Sequence, residues 1–303
     1  QVHRARLLDG TAVAMKVQYP GVADSIESDL RNLERLVTLT DLLPPGLFVG
    51  EIIDVARGEL ARECDYEAEA ESQTRFRTLV ADDPVLSKWV TVPEVFPKLS
   101  SRRVLTSRLV RGVPVDRVAA AAAPEVRNHV ARLLLRLTMQ ELFNWRFMQT
   151  DPNWGNFLYD AETGKLHLID FGACQEYDET FVDRYLELVW AAAQRDGATM
   201  MRVSHKLGFL TGDESPAMAA AHEQAGLVVG EPFATAAPFD FCGSNITARI
   251  SVYGRTFMNH RLTPPPREAY SLHRKLAGAF LACIKLRAVI PCRDILEDMH
   301  RRH

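Results

Sequence analysis

Between Pro124 and Gly172 the chain changes periodicity three times, and few architectures accommodate all three changes. From Pro124 to Phe147, Val130, Leu133, Leu134, Leu137 and Leu142 recur at helical spacing, which predicts a helix buried in a core. A polar loop follows over Gln149 to Asn156. Two short apolar strands then flank Gly164 and end at Asp170-Phe171-Gly172. A buried helix that delivers a polar loop and then a tight hairpin brings two polar segments side by side. Asp151 and Asn156 lie on the first, and Asp170 on the second.

The remainder of the chain fits around this unit. Val2 to Leu8 and Ala12 to Gln18 read as strands joined by Asp9-Gly10, a dipeptide that tolerates the positive φ of a tight turn. Apolar residues at Ile26, Leu30, Leu33 and Val37 predict a helix stopped by Pro44-Pro45. Glu51 to Leu79 reads as a second helix, acidic and largely solvated. Strands are expected at Trp89 to Val95 and Arg103 to Val110, before Gly112 and an alanine-rich linker. Beyond Thr180 the pattern is helical, with interruptions at 208–216, 230–244 and 264–266. The expectation is a two-lobed α+β chain, with a β-rich N-terminal part over 1–110 and a helical C-terminal part over 111–303.

Composition removes several function classes. With 47% hydrophobic and 25% charged residues the chain is foldable rather than disordered. Its 36 basic and 39 acidic residues give 36 − 39 = −3, too near neutrality to expect a nucleic-acid partner. Five scattered cysteines without CxxC spacing predict reduced thiols and no metal cluster. The most apolar run, Leu276 to Leu286, is cut by Lys285, so no transmembrane helix is expected. The start at Gln1-Val2-His3, without Met or a targeting pattern, is read as a start inside a longer precursor.

Asp151-x4-Asn156 followed by Asp170-Phe171-Gly172 is the order in which protein kinases place a catalytic aspartate, a metal-binding asparagine and a metal-binding aspartate. Two oxygen donors from separate segments, completed by phosphate oxygens and waters, suit Mg²⁺. Each motif alone is an ordinary turn or bend; the pair in this order is far more specific. Ala12-Val13-Ala14-Met15-Lys16 matches the strand that presents a phosphate-binding lysine, which makes Lys16 a ligand for nucleotide phosphates. Such a lysine needs an acidic partner. Glu63 can supply it, and Asp65 is placed to reach a metal or nucleotide. The competing reading is a solvated acidic face that also includes Glu59, Glu67, Glu69 and Glu71. Ser107, Arg108, Leu109 and Val110 leave the last N-terminal strand where backbone groups would bind an adenine edge.

These segments together resemble the UbiB (aarF-domain) family of atypical protein-kinase-like proteins, in its eukaryotic mitochondrial branch associated with coenzyme Q biosynthesis. The matching text is Gln1 to Ala5, Val13 to Val22, Glu63-Cys64-Asp65-Tyr66, Phe147 to Phe157, Asp170-Phe171-Gly172, Pro264-Pro265-Pro266 and His273-Arg274-Lys275. Glu63-x-Asp65 is a family signature absent from ordinary kinases. The resemblance implies a kinase-like fold, with Lys16 on the nucleotide phosphates, Glu63 as its partner, Asp151 as catalytic aspartate, and Asn156 with Asp170 on magnesium. It also implies ATP and Mg²⁺ as cofactors and a location on the matrix side of the mitochondrial inner membrane. The partners it suggests are coenzyme Q biosynthetic proteins, a lipid or membrane surface, and a second copy in a homodimer. The family's alanine-rich loop and Lys-x-Gly-Gln helix precede the segment at which this sequence starts.

Only about seven residues separate Gly172 from the helix expected near Thr180, too few for the loop that orders a peptide substrate. A small or lipidic phosphate acceptor, or water, is therefore expected, with ATP hydrolysis coupled to conformational change as the economical form. Two alternatives stand beside it: a nucleotide-binding pseudoenzyme that scaffolds biosynthetic enzymes, and a small-molecule phosphotransferase. The C-terminal histidines His205, His222, His260, His273 and His300 lack metal spacing and are expected in packing or at the surface. Phe280, Leu281 and Ile284 are expected in a core helix, with a docking helix as the alternative.

Overall fold

The computed structural model describes residues 1–40 and 48–303, and the side chains of these except at positions 23, 24 and 37–40. The predicted stop at Pro44-Pro45 and the side chain of Val37 lie outside the described residues. Backbone contacts divide the chain into two compact units: Gln1–Leu39, Ile53–Ala122 and Gln149–Gln175 form the first, and Thr40–Ile52, Ala123–Met148 and Glu176–His303 the second.

In the first unit, β1 (Val2–Arg6) and β2 (Ala12–Val17) form the expected hairpin, with Val2 opposite Lys16 and Arg6 opposite Ala12. Gly10 takes φ +88° in the turn, and the Asp9 carboxylate accepts from the Thr11 N–H at 2.8 Å. A side chain at position 10 would be strained there. The third strand of this sheet is β4 (Val104–Arg108), antiparallel to β2 with Lys16 opposite Leu105.

Helix α1 (Val22–Thr40) follows the hairpin. The single acidic helix expected next is two helices, α2 (Val49–Glu63) and α3 (Tyr66–Asp82). Asp65 causes the break: with extended backbone (φ −101°, ψ 90°) its carboxylate accepts from the Ala68 N–H at 3.1 Å, an N-cap that starts a new helix. Nor is α3 solvated on all sides, since Tyr66, Glu69, Gln73, Phe76 and Val80 form a buried stripe. Of the strand expected from Trp89 to Val95 only β3 (Val90–Thr91) forms.

A second sheet is built on the hairpin that the sequence placed around Gly164. Its order is β3, β8 (Lys165–Leu168), β7 (Phe157–Asp160), β5 (Val113–Pro114), with β3 parallel to β8 and the rest antiparallel. This pairing explains why residues 149–175 group with the first unit and not with the helical part beyond residue 110. The strand β6 (Phe147–Gln149) enters this segment, and β9 (Cys174–Glu176) leaves it. Helix α4 (Val115–Ala121) follows β5.

The second unit is helical. Helix α5 (Pro124–Phe143) is buried through most of its C-terminal half, from Leu133 to Phe143, as its dense leucines predict. Asp178 caps α6 (Glu179–Ala193), accepting from the Phe181 N–H. Then come α7 (Gly197–Leu207), α8 (Pro216–Gly230), α9 (Ile246–Ser251), α10 (Gly254–His260), α11 (Arg267–Lys285) and α12 (Arg293–Arg302). The sequence shows no sign of a ribbon here, yet β10 (Phe239–Asp240) pairs antiparallel with β11 (Val289–Ile290). Each strand has two residues, too few for an alternating pattern to register. Phe280 is buried against Phe233 and Phe241, so this face of α11 is core, while Leu281 points to solvent. No helix among the described residues is long and apolar enough to cross a membrane.

Candidate active site

Residues far apart in sequence converge on one pocket of about 410 Å³ in the first unit, lined by Lys16, Glu63, Tyr66, Asp151 and Asp170 among others. Lys16 is carried by β2, the central strand of its sheet. Its Nζ donates to both carboxylate oxygens of Glu69, at 2.8 and 2.9 Å, and lies 3.4 Å from Asp170 Oδ2. The Tyr66 ring lies 5.2 Å from the ammonium, within cation–π range.

The partner of Lys16 is thus Glu69, which corrects the expectation of Glu63. The α2–α3 break is the physical reason. Because the helix restarts at Asp65, Glu69 falls on the stripe of Tyr66, Phe76 and Val80 and is only 2% exposed, whereas Glu63 ends the previous helix. A signal was available: once Asp65 is read as a cap, Glu69 lies three residues after Tyr66 and seven before Phe76, both apolar. Gln18 fixes the junction by donating to the Cys64 carbonyl at 2.8 Å.

Burial works against the Lys16 charge, but Glu69 and Asp170 outweigh it and hold the ammonium above its ordinary range. Glu63 lines the pocket without an opposite charge of its own. Partial burial there, with the nearby charges of Asp151 and Asp170, raises its carboxyl above the usual range, while Lys16 pulls the other way.

The loop and hairpin meet as their spacing predicts. Asn156, nearly buried, donates from Nδ2 to Asp151 Oδ2 at 2.6 Å, and its carbonyl accepts from the Ile169 N–H at 3.1 Å. The other oxygen of Asp151 accepts from the Asn153 N–H at 3.1 Å. Asp170 Oδ1 takes the Gly172 N–H at 3.2 Å. Phe171 is 1% exposed and packs on Phe76 at 5.1 Å between ring centroids, which ties the Asp-Phe-Gly turn to the helix that carries Glu69. A β-carbon at Gly172 would lie 3.5 Å from Glu63 Cα and 3.5 Å from Glu69 Oε2.

Two groups expected in the site are placed elsewhere. Asp65 is exposed and committed to capping α3, and it does not line the pocket. Ser107 to Val110 do not line it either. The Arg108 N–H is taken by the Glu94 carbonyl at 2.8 Å and the Leu109 N–H by the Ala12 carbonyl at 3.0 Å, so two donors expected for an adenine edge serve the sheet. The Arg108 side chain pairs with Glu94.

A profile of the ABC1 atypical kinase-like domain matches residues 1–204, about two thirds of the chain. The chain belongs to this family of atypical kinase-like proteins. Among its relatives in the ABC1 family is the zebrafish (Danio rerio) protein named atypical kinase COQ8B, mitochondrial, 49% identical over the whole of this chain and 48% of its own length. The Caenorhabditis elegans atypical kinase coq-8, mitochondrial, is 44% identical over 100% of this chain and 40% of its own. The corresponding Saccharomyces cerevisiae COQ8 is 40% identical over 99% and 59%. The chain spans about half the length of the curated relatives it matches. A solved structure of Rv3197 with erythromycin, from Mycobacterium tuberculosis, superposes with a TM-score of 0.73 at 24% identity, covering 99% of this chain and 74% of that one. That likeness shows a shared fold. The kinase-like α+β fold and the family read from the sequence are both borne out.

As a donor set the ABC1 site fits a hard cation. Asp170 and Asn156 offer carboxylate and amide oxygens, and among the described residues no cluster of three or more His, Cys, Asp or Glu competes as a metal cage. Mg²⁺ characteristically takes few protein ligands and completes its shell with phosphate oxygens and water.

Proposed function

We propose that the chain is the nucleotide-handling part of an atypical kinase or ATPase that uses Mg-ATP and supports coenzyme Q biosynthesis in mitochondria, on the matrix side of the inner membrane. The observation that carries this is Lys16 bridging Glu69 at 2.8 Å and Asp170 at 3.4 Å, with Asp151 on the same pocket. A lysine held between an inward helix acid and the Asp-Phe-Gly acid is the arrangement that fixes a triphosphate for phosphoryl transfer. The relatives' names, which call them atypical kinases and mitochondrial, support the same reading.

In this reading Lys16 binds the α/β-phosphates and Glu69 holds its ammonium in place. Asn156 and Asp170 would hold Mg²⁺, which when bound neutralises charge on the β- and γ-phosphates. Asp151 orients the attacking oxygen and takes up its proton as that oxygen bonds to the γ-phosphorus and the bond to the β-phosphate oxygen breaks, releasing ADP. The short segment between Gly172 and α6 favours water or a small or lipidic hydroxyl over a peptide acceptor.

Asp151→Asn keeps the size of the side chain and removes the proton acceptor. Turnover to ADP is expected to fall by about 10²-fold or more while ATP affinity stays within a few-fold. Unchanged turnover would refute the role of Asp151. A full cellular role despite lost turnover would mark a scaffold.

A further inference from the structure

Gln18 lines the pocket, yet no step of the phosphoryl transfer described above uses it. Its backbone N–H donates to the Arg103 carbonyl at 3.0 Å, which carries the pairing of β2 with the third strand one residue past Val17. On an extended chain, side chains two apart project to one face, so Gln18 and Lys16 point to the same side of the sheet. Both reach the α2–α3 corner. The Lys16 ammonium grips it beyond the break, at the Glu69 carboxylate, and Gln18 grips it at the break, donating from Nε2 to the Cys64 carbonyl at 2.8 Å.

Two acids compete for that ammonium. A β-carbon placed on Gly172 would lie 3.5 Å from Glu63 Cα and 3.5 Å from Glu69 Oε2, so the Glu63 backbone and the Glu69 carboxylate are no more than twice that distance apart. A glutamate side chain spans much of that gap, and Glu63 lines the same pocket as Lys16. Charge alone does not choose between them; the course of the backbone does. The Cys64 N–H donates to the Ala61 carbonyl at 3.3 Å and the Asp65 N–H to the Arg62 carbonyl at 3.0 Å, both in the last turn of α2. Those two bonds tie the corner to α2. The Gln18 bond ties it to the sheet.

We propose that Gln18 is a positioning residue that selects Glu69 over Glu63 as the partner of Lys16. With the Cys64 carbonyl held against β2, Glu63 ends α2 at the pocket wall and Glu69 meets Lys16 one turn into α3. Released from the strand, the corner shifts and Lys16 divides between the two acids. The consequence for ATP rests on the function proposed above; the choice of partner does not.

The test is a pair of double-mutant cycles, one read in Tm and one in ATP affinity. Gln18→Met keeps the length of the side chain and removes the donor, whereas Gln18→Asn keeps the amide and falls one methylene short. In the wild-type background Glu69→Gln is expected to lower Tm by roughly 4 °C and ATP affinity about tenfold. In either Gln18 background the Tm loss is expected to shrink to about half or less and the affinity loss to about threefold, because Glu63 now shares the ammonium. Glu63→Gln, expected to raise the wild-type Tm at pH 7, is expected to lower it in those backgrounds. Equal Tm losses from Glu69→Gln with and without Gln18 overturn the proposal, since a bond that merely props the corner adds its own cost and leaves the other unchanged. A smaller Tm loss with an undiminished affinity loss overturns it as well, for Lys16 would then keep Glu69 wherever nucleotide binds. If the wild type binds no ATP, the proposed function fails and the Tm cycle still decides the role of Gln18. Either Gln18 variant suffices where the other does not fold.

Discussion

Replacing Glu69 by Gln separates the two candidate partners of Lys16. Glu69 is 2% exposed and accepts two hydrogen bonds from Nζ at 2.8 and 2.9 Å. Removing one partner of a fully buried pair costs about 3–5 kcal/mol. Lys16 keeps a quarter of its side-chain surface in solvent and retains Asp170 at 3.4 Å, so the loss falls below that range, at about 2 kcal/mol. In a chain of this size that lowers Tm by roughly 4 °C. The functional cost follows from the same geometry. Without Glu69, Lys16 settles onto Asp170, which draws the ammonium off the phosphates and occupies the metal-facing carboxylate. ATP affinity, read by fluorescence competition with and without Mg²⁺, is expected to drop about tenfold, an order of magnitude typical of a lost charge-assisted bond. Glu63→Gln, by contrast, leaves the Lys16 pair intact. If Glu63→Gln gives the larger loss in both assays and Glu69→Gln behaves as wild type, the assignment of the pair is wrong.

Other predictions follow from neighbouring contacts. Asp65→Ala removes the α3 cap at a cost of about 1 kcal/mol, whereas Asp65→Asn keeps a capping oxygen and is expected near wild type in thermal denaturation and ATP affinity; an equal loss in both variants would make Asp65 a ligand and not a cap. Phe171→Ala opens a cavity against Phe76 and is expected to cost about 3–5 kcal/mol in chemical denaturation, and a loss under 1 kcal/mol would contradict that packing. Burial first, then Asp151 and Asp170, raise the folded-state carboxyl of Glu63, so its stabilising contribution is complete below the ordinary carboxylate range and is lost as pH rises through the raised value. Glu63→Gln is therefore expected to raise Tm at pH 7 and to match wild type near pH 4; a Tm difference that grows on acidification would reverse the sign.

The loop Asp151 to Asn156 and the Asp170 turn were legible because their geometry is local. A fixed spacing and one hairpin bring Asn156 and Ile169 within hydrogen-bond distance whatever surrounds them. The β1–β2 hairpin was legible for the same reason. Glu69 was not, because six acids crowd residues 59–71 and composition does not say which turns inward. That choice is made by the cap at Asp65 and by what α3 packs against, including the Phe171 ring, about 100 residues away. The segment 107–110 shows the converse limit, since position in the chain suggested an adenine edge while Glu94 and Ala12 take the Arg108 and Leu109 N–H groups.

Asp170 is where the account is most exposed, because it faces both the lysine and the proposed metal. Titrating ATP into wild type and Asp170→Asn, each with Mg²⁺ and with EDTA, isolates the increment in affinity that the metal contributes. The account predicts that magnesium tightens ATP binding in the wild type and that Asp170→Asn loses this gain while keeping its metal-free affinity. Equal gains from magnesium in the two proteins, or no ATP binding by either, would contradict it.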